Sequence, residues 1–257
     1  MKFTEKFLQL QHSGEAKKLM DQFTAYLDLL LAGRAAELSY QLAYDTVYKL
    51  TKDHRQAELL ALIEHKLANY LQEQYALLPP AAAAPALLLI LQQAAAVLTK
   101  IAEVCLFLDV NYCQKELSLP LRKRLGDALF RSLCSEPKAL AITAASVFAA
   151  RQADRAECAA LLAFVGNLDE KEEFFERYLL PHYEPLVRRH YEAAAKDEWR
   201  RAGLVEYLGW CRGELEREAE FGRAVLARRK GQEGLDSIQS SIYAAIVLGY
   251  KSRIYEA

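Results

Sequence analysis

The sequence of 257 residues lacks the motifs that usually announce a chemical activity. Its eleven glycines are scattered singly, so no phosphate-binding loop of the G-x-x-x-x-G-K-[ST] or G-x-G-x-x-G type is present. The five histidines lie outside any H-E-x-x-H motif or Cys/His cluster. We therefore expect no metal site, no cofactor and no catalytic residues, and we predict that the chain is not an enzyme.

The chain also lacks an excess of charge of either sign. It has 33 Lys and Arg residues against 34 Asp and Glu residues, which gives a formal net charge of −1. Binding to nucleic acid through bulk electrostatics requires a basic surface, and short runs such as Arg228-Arg229-Lys230 do not change the overall balance. We expect no nucleic-acid partner.

Paired cysteines are missing as well. The five cysteines are odd in number and never form C-x-x-C, which is typical of buried thiols in a reducing compartment. Residues 1–13 lack the charged region, apolar region and cleavage site of a secretory signal. The expected location is the cytoplasm, the nucleus or both.

A long uncharged stretch, Gln74 to Thr99, is the one segment that resembles a membrane span. Pro79, Pro80 and Pro85 interrupt its first half, and we expect a loop from Pro79 to Pro85. The apolar helix after this loop is predicted to be a buried helix too short to cross a bilayer. We therefore expect no membrane partner.

Apolar residues recur at spacings of three and four along almost the whole chain, which predicts an all-α fold. Glycines and prolines divide the pattern into about ten helices. The predicted helices cover 15–32, 35–52, 54–78, 86–112, 119–133, 138–151, 154–165, 169–197, 203–230 and 235–255. Five helices followed by five more predict two helical units, 15–134 and 135–257, that form an elongated body after an N-terminal extension, 1–14.

Two acidic clusters could supply paired carboxylates to a metal-dependent enzyme. They lie at Asp169–Glu173 and at Glu214–Glu220. Both are mixed with Lys or Arg on amphipathic helices, so we interpret them as solvated faces with ion pairs at i,i+4 spacing.

The second predicted helix carries an unusual aromatic pattern. Tyr40, Tyr44 and Tyr48 are spaced at i, i+4 and i+8, while Leu38, Leu42 and Leu50 could form a separate set facing the core. Tyrosine is enriched at interface hot spots because its ring buries area and its hydroxyl tolerates water. The stripe therefore indicates a binding face, although the same residues could instead fill the core.

At this helix the sequence resembles the N-terminal region of cullins, the scaffolds of multisubunit ubiquitin ligases. The Ser-aromatic-x-x-x-Tyr-x-x-apolar-Tyr pattern of the family is matched by Ser39, Tyr40, Tyr44, Val47 and Tyr48. The stretch Phe107-Leu108-Asp109-Val110-Asn111-Tyr112-Cys113 is similar to the end of the family's fourth helix. Leu125-Gly126-Asp127-Ala128-Leu129-Phe130 is similar to the latter half of a motif in its fifth helix.

Residues of the second half extend the likeness to about 15–257. Three stretches follow the order of the family's second repeat: Phe174-Phe175-Glu176, Glu206-Tyr207-Leu208 and Leu215-Glu216-Arg217-Glu218. The resemblance implies two consecutive five-helix cullin-type repeats that form a stalk, with the adaptor-binding repeat first. In cullins the second and fifth helices of that repeat bind the substrate-receptor adaptor.

The partner-binding residues implied by the resemblance come from these two helices. They are Ser39, Tyr40, Tyr44, Val47, Tyr48, Leu121, Leu125, Asp127 and Phe130. The adaptor would be a BTB-type receptor, an F-box adaptor or an elongin-like protein, with the BTB class favoured by the short connection from Tyr48 to Leu59. The alternatives are another all-helical rod or tethering scaffold, or a cullin-like decoy.

Overall fold

A computed structural model describes residues 2–79, 84–151, 156–223, 232–251 and 254. For residues 2–13 and 232–235 it describes the backbone alone. Helices occupy most of these residues, and no strand occurs among them. The all-α fold predicted from the periodicity is confirmed.

Ten helices of at least 13 residues lie within the described ranges. They are α1 (Lys2–Leu31), α2 (Tyr40–Lys52), α3 (Gln56–Leu77), α4 (Ala84–Val104), α5 (Leu121–Ser135), α6 (Pro137–Ala149), α7 (Ala156–Leu168), α8 (Leu180–Arg201), α9 (Leu204–Phe221) and α10 (Gln232–Ile246). Shorter helical turns lie at Ala35–Glu37, Leu106–Leu108 and Leu248–Tyr250, and π-helical turns lie at Asp109–Cys113 and Phe174–Leu179.

Several predicted boundaries are wrong. The first helix begins at Lys2 rather than near Glu15, so the backbone of residues 2–14 is helical and continuous with α1. The fourth helix ends at Val104 rather than near Tyr112, because the chain turns at Cys105 before two short helical turns. The last long helix ends at Ile246 rather than Tyr255. Much of the predicted loop from Pro79 to Pro85 lies outside the described residues.

The ends of α2 follow from local chemistry. The hydroxyl of Ser39 accepts a hydrogen bond from the Leu42 backbone N–H at 3.3 Å, which is the usual capping arrangement at a helix start. At the other end His54 adopts a left-handed conformation with φ of 58°, and the N–H of Arg55 bonds to the carbonyl of Leu50. This reversal stops the helix after Lys52 and starts α3 within four residues.

The chain forms two compact units. Unit 1 comprises Met1–Leu78 and Leu89–Leu133, and its core is built from buried leucines and isoleucines of α1 to α5, such as Leu27, Leu50, Ile63 and Leu129. Unit 2 comprises Pro79–Leu88 and Cys134–Ala257, and Val165, Tyr183, Val187 and Ile242 belong to its core. The segment Pro79–Leu88, which the sequence assigned to the first repeat, therefore groups with unit 2.

Helix α4 has 21 residues and, by length and composition alone, could cross a membrane; among the described helices it alone passes this test. The prediction that it is too short is wrong. Its buried positions Leu87, Leu91, Ala94, Leu98 and Ile101 recur at spacings of three and four along one side, as in an amphipathic core helix.

Candidate partner-binding surface

Helix α2 divides into a core face and an aromatic edge. The buried residues are Ala43, Thr46, Val47, Leu50 and Thr51. They occupy one face, and the three tyrosines lie along one side of it, because residues four apart on an α-helix differ in direction by only about 40°. Leu42, predicted to face the core, is 61% exposed on the other side of the helix, so that assignment is wrong.

The first tyrosine of the edge rests on α1. The Tyr40 ring meets the Tyr26 ring edge to face, with centroids 6.4 Å apart, and 40% of Tyr40 remains exposed. Tyr26 is buried and stacks on Phe23 at 5.9 Å. Tyr40 is therefore held by the core beneath it while much of its ring faces solvent.

The last tyrosine of the edge rests on the turn Leu106–Leu108, which packs against α2. The rings of Tyr48 and Phe107 have centroids 4.6 Å apart, and 40% of Tyr48 is exposed. The ammonium of Lys52 lies 5.7 Å from both ring centroids, within the range of cation–π attraction. We call Tyr40, Tyr44, Tyr48, Phe107 and Lys52 the aromatic surface.

The position of Phe107 depends on Asp109. One carboxylate oxygen of Asp109 accepts the N–H of Leu121 at 2.7 Å, and the other accepts the side-chain amide of Gln114 at 2.9 Å. The carboxylate thus ties the π-helical turn after Phe107 to the start of α5. Leu106 and Val110, on either side in the chain, are 54% and 50% exposed, so this turn adds apolar area next to the aromatic surface.

The nine residues predicted to bind a partner separate into surface and core. Tyr40, Tyr48 and Ser39 are exposed, and Tyr44, Asp127 and Phe130 are half-buried. Val47, Leu121 and Leu125 have no exposed area, so these three are core residues of unit 1 and their assignment to a binding surface is wrong. Sequence analysis missed Phe107 and Lys52 as members of the same surface. Lys52 continues the four-residue spacing of the tyrosines and could have been found from it, whereas Phe107 is placed there only by the packing of its turn on α2.

A second cluster, which sequence analysis interpreted as a solvated face, is buried in unit 2. Glu214 and Glu218 are 8% and 7% exposed. The Tyr191 hydroxyl lies 3.1 Å from a Glu214 oxygen and 3.0 Å from a Glu218 oxygen, and Arg151 forms an ion pair with Glu218. We call Arg151, Tyr191, Glu214 and Glu218 the buried network.

Each carboxylate of the buried network is paired with an arginine, one inside the network and one outside it. The Arg151 guanidinium neutralises Glu218 and lies 5.3 Å from the centroid of the Tyr191 ring, while Arg217 binds Glu214 at 2.7 Å. Burial, followed by the charge of Glu218, raises the pKa of Tyr191, so its hydroxyl keeps its proton as a donor. The geometry favours cross-linking of α8 and α9 over chemistry on a substrate.

The other acidic cluster also has a local role. The buried carboxylate of Asp169 accepts the N–H of Glu173 at 3.1 Å and that of Phe174 at 2.7 Å, at the start of a π-helical turn. Among the described residues, no group of three His, Cys, Asp or Glu side chains is placed to hold a metal ion.

Comparison with models of protein families and with curated proteins gives no match to this chain.

Proposed function

We propose that the chain is a non-catalytic scaffold that docks an adaptor protein on the aromatic surface, in the manner implied by its resemblance to the N-terminal region of cullins. The adaptor would be a BTB-type receptor, an F-box adaptor or an elongin-like protein, in the cytoplasm or nucleus. The observation that carries the proposal is that two large aromatic rings, Tyr40 and Tyr48, are each 40% exposed on a helix that is anchored by the adjacent buried face.

Physical reasons favour partner binding at these positions. An exposed tyrosine that is already packed against neighbouring side chains loses little side-chain entropy when a partner covers it. Tyr40 is held by Tyr26, and Tyr48 by Phe107 and Lys52. Such anchored aromatic residues are typical of interface hot spots. The scaffold would act by position, since a rigid support raises the local concentration of a bound substrate near a catalytic module.

The direct test measures binding of the purified chain to one purified adaptor of each class. The Tyr40→Ala/Tyr44→Ala variant should bind its adaptor at least about 100-fold more weakly, as expected when clustered hot-spot aromatics are truncated. Leu42→Ala is the matched control, because it removes an exposed apolar side chain of the same helix away from the tyrosines. Thermal melts of both variants should resemble that of the wild type. Failure of all three classes to bind would reject the proposal.

A second candidate is a tethering scaffold that uses unit 2. Its support is a set of exposed apolar side chains near the start of α9 and after α10, with Val205 83%, Leu208 41% and Leu248 50% exposed. A partner that binds the Tyr40→Ala/Tyr44→Ala variant normally and is lost on Val205→Glu would favour this candidate over the first.

A further inference from the structure

Lys52 is the charged member of the aromatic surface, and what distinguishes it is that its ammonium lies against two aromatic rings. Its ammonium is 5.7 Å from the centroids of both Tyr48 and Phe107. Two other cations of unit 1 form ion pairs instead: Lys66 pairs with Asp28, and Arg55 pairs with Glu58. Within the described part of the chain, no carboxylate lies at ion-pair distance from Lys52.

This arrangement holds a positive charge at one end of an apolar stripe. The stripe runs along α2 from Tyr40 to Lys52, a length of about 18 Å at the rise of an α-helix, which equals about three turns of a partner helix. The rings fix the ammonium without neutralising it, since cation–π attraction leaves the other side of the charge open to an anion. A carboxylate that approached from a bound partner would be partly shielded from water by the two rings.

We propose that the aromatic surface binds an amphipathic helix of a protein partner, with apolar side chains on the tyrosines and a carboxylate on Lys52. The inference rests on the proposed function for the choice of surface, and it adds the chemistry and the orientation of the partner. The acidic end of the partner helix lies at the C-terminal end of α2, and a partner with Lys or Arg at that position is rejected by like-charge repulsion.

The test uses three fluorescent helical peptides of about 16 residues with the same apolar face and with Glu, Gln or Lys at one terminal contact position. Binding to the full chain is measured by anisotropy. The Glu peptide should bind about fivefold more tightly than the Gln peptide and more than about tenfold more tightly than the Lys peptide at about 50 mM NaCl, with the difference reduced at about 500 mM.

Variants assign the preference to one residue. Lys52→Met keeps most of the side-chain length and should abolish the preference for Glu, while Lys52→Arg should retain it. Lys49→Met is the matched control, because Lys49 is an exposed lysine of the same helix on the side away from the tyrosines. Phe107→Ala removes one of the two rings that hold the ammonium, so it should weaken all three peptides and also reduce the preference for Glu.

The inference would be overturned if the three peptides bound equally or if none of them bound. It would also be overturned if Lys49→Met and Lys52→Met lost the preference for the Glu peptide to the same extent. Binding to the purified adaptors of the three classes separates this inference from the proposed function. A preference for Glu that depends on Lys52, together with no adaptor binding, would support the acidic-helix site and reject the adaptor role. Adaptor binding that is unaffected by Lys52→Met would support the adaptor role and reject the acidic-helix site.

Discussion

Two buried tyrosine hydroxyls, in different units, have opposite hydrogen-bonding states. The Tyr26 hydroxyl, beneath Tyr40, has no hydrogen-bond partner among the described residues, whereas the Tyr207 hydroxyl donates to the carbonyl of Ile246 at 2.5 Å. Burial is the main cause that raises the pKa of both phenols. An unpaired buried hydroxyl costs free energy because it gives up water without a replacement.

The same substitution should therefore have opposite effects at these two positions. Tyr26→Phe should raise the free energy of unfolding by about 1 kcal/mol, and Tyr207→Phe should lower it by about 1 to 2 kcal/mol. Urea denaturation followed by circular dichroism measures both changes. Destabilisation by both variants would indicate that the Tyr26 hydroxyl has a partner.

The cysteine thiols of the folded chain should react slowly with thiol reagents at neutral pH. All five cysteines are buried and free, and burial raises the pKa of both Cys113 and Cys158 to about 11 from an ordinary value of 9.0. Because the folded pKa lies above the unfolded one, the contribution of these thiols to stability is complete below pH 9 and is lost as the pH rises through 11.

We expect a thiol reagent to label the native chain slowly at pH 7, and to label five thiols at once in denaturant. Stability measured from pH 8 to 11 should fall with increasing pH. The buried tyrosines act in the same direction at the upper end of this range, since burial also raises their pKa values. Rapid labelling of the native state at pH 7 would contradict the buried positions.

At the scale of helices, the buried network joins α8 and α9 through Tyr191 and reaches the end of α6 through Arg151. Removal of one member of a buried ion pair leaves the other without compensation, which costs more than loss of an exposed pair. The chain offers a close comparison, because Glu216 lies between the two buried glutamates and is 63% exposed in its pair with Arg212.

Glu218→Gln should therefore lower the stability of unit 2 by about 3 kcal/mol, while Glu216→Gln should change it by less than about 1 kcal/mol. Fluorescence is a suitable measurement, since both tryptophans, Trp199 and Trp210, contact Tyr207 in unit 2. Equal effects of the two substitutions would show that the network is solvated.

The sequence predicted the existence of the helices better than their ends or their buried faces. Apolar periodicity identifies α2, yet it could not tell that Ala43 and Thr46 face the core while Leu42 faces solvent, because small residues fit where helices approach closely. Glu214 and Glu218 occur in a typical surface pattern, and only the position of Arg151 on another element makes their burial favourable. Tertiary contacts decide both cases, and local sequence does not contain them.

At the scale of the whole molecule, the near-zero net charge affects how binding should respond to salt. A formal charge of −1 gives little long-range steering, so any dependence of partner binding on ionic strength should arise from local charges such as Lys52. Under the proposed function, residues 1–257 dock an adaptor, and the proposal assigns no RING-holding region to them.

The 257-residue chain, added by itself to a reconstituted cullin ligase, should therefore compete for the adaptor and slow substrate ubiquitination. Under the proposed function it occupies the receptor without supplying a catalytic module, so when receptor is scarce half-inhibition should fall near the dissociation constant of the chain for that receptor. The Tyr40→Ala/Tyr44→Ala variant should lose the inhibition, and Leu42→Ala should retain it. Ubiquitin transfer stimulated by the chain, or equal inhibition by the tyrosine variant, would contradict the scaffold function or the assignment of its surface.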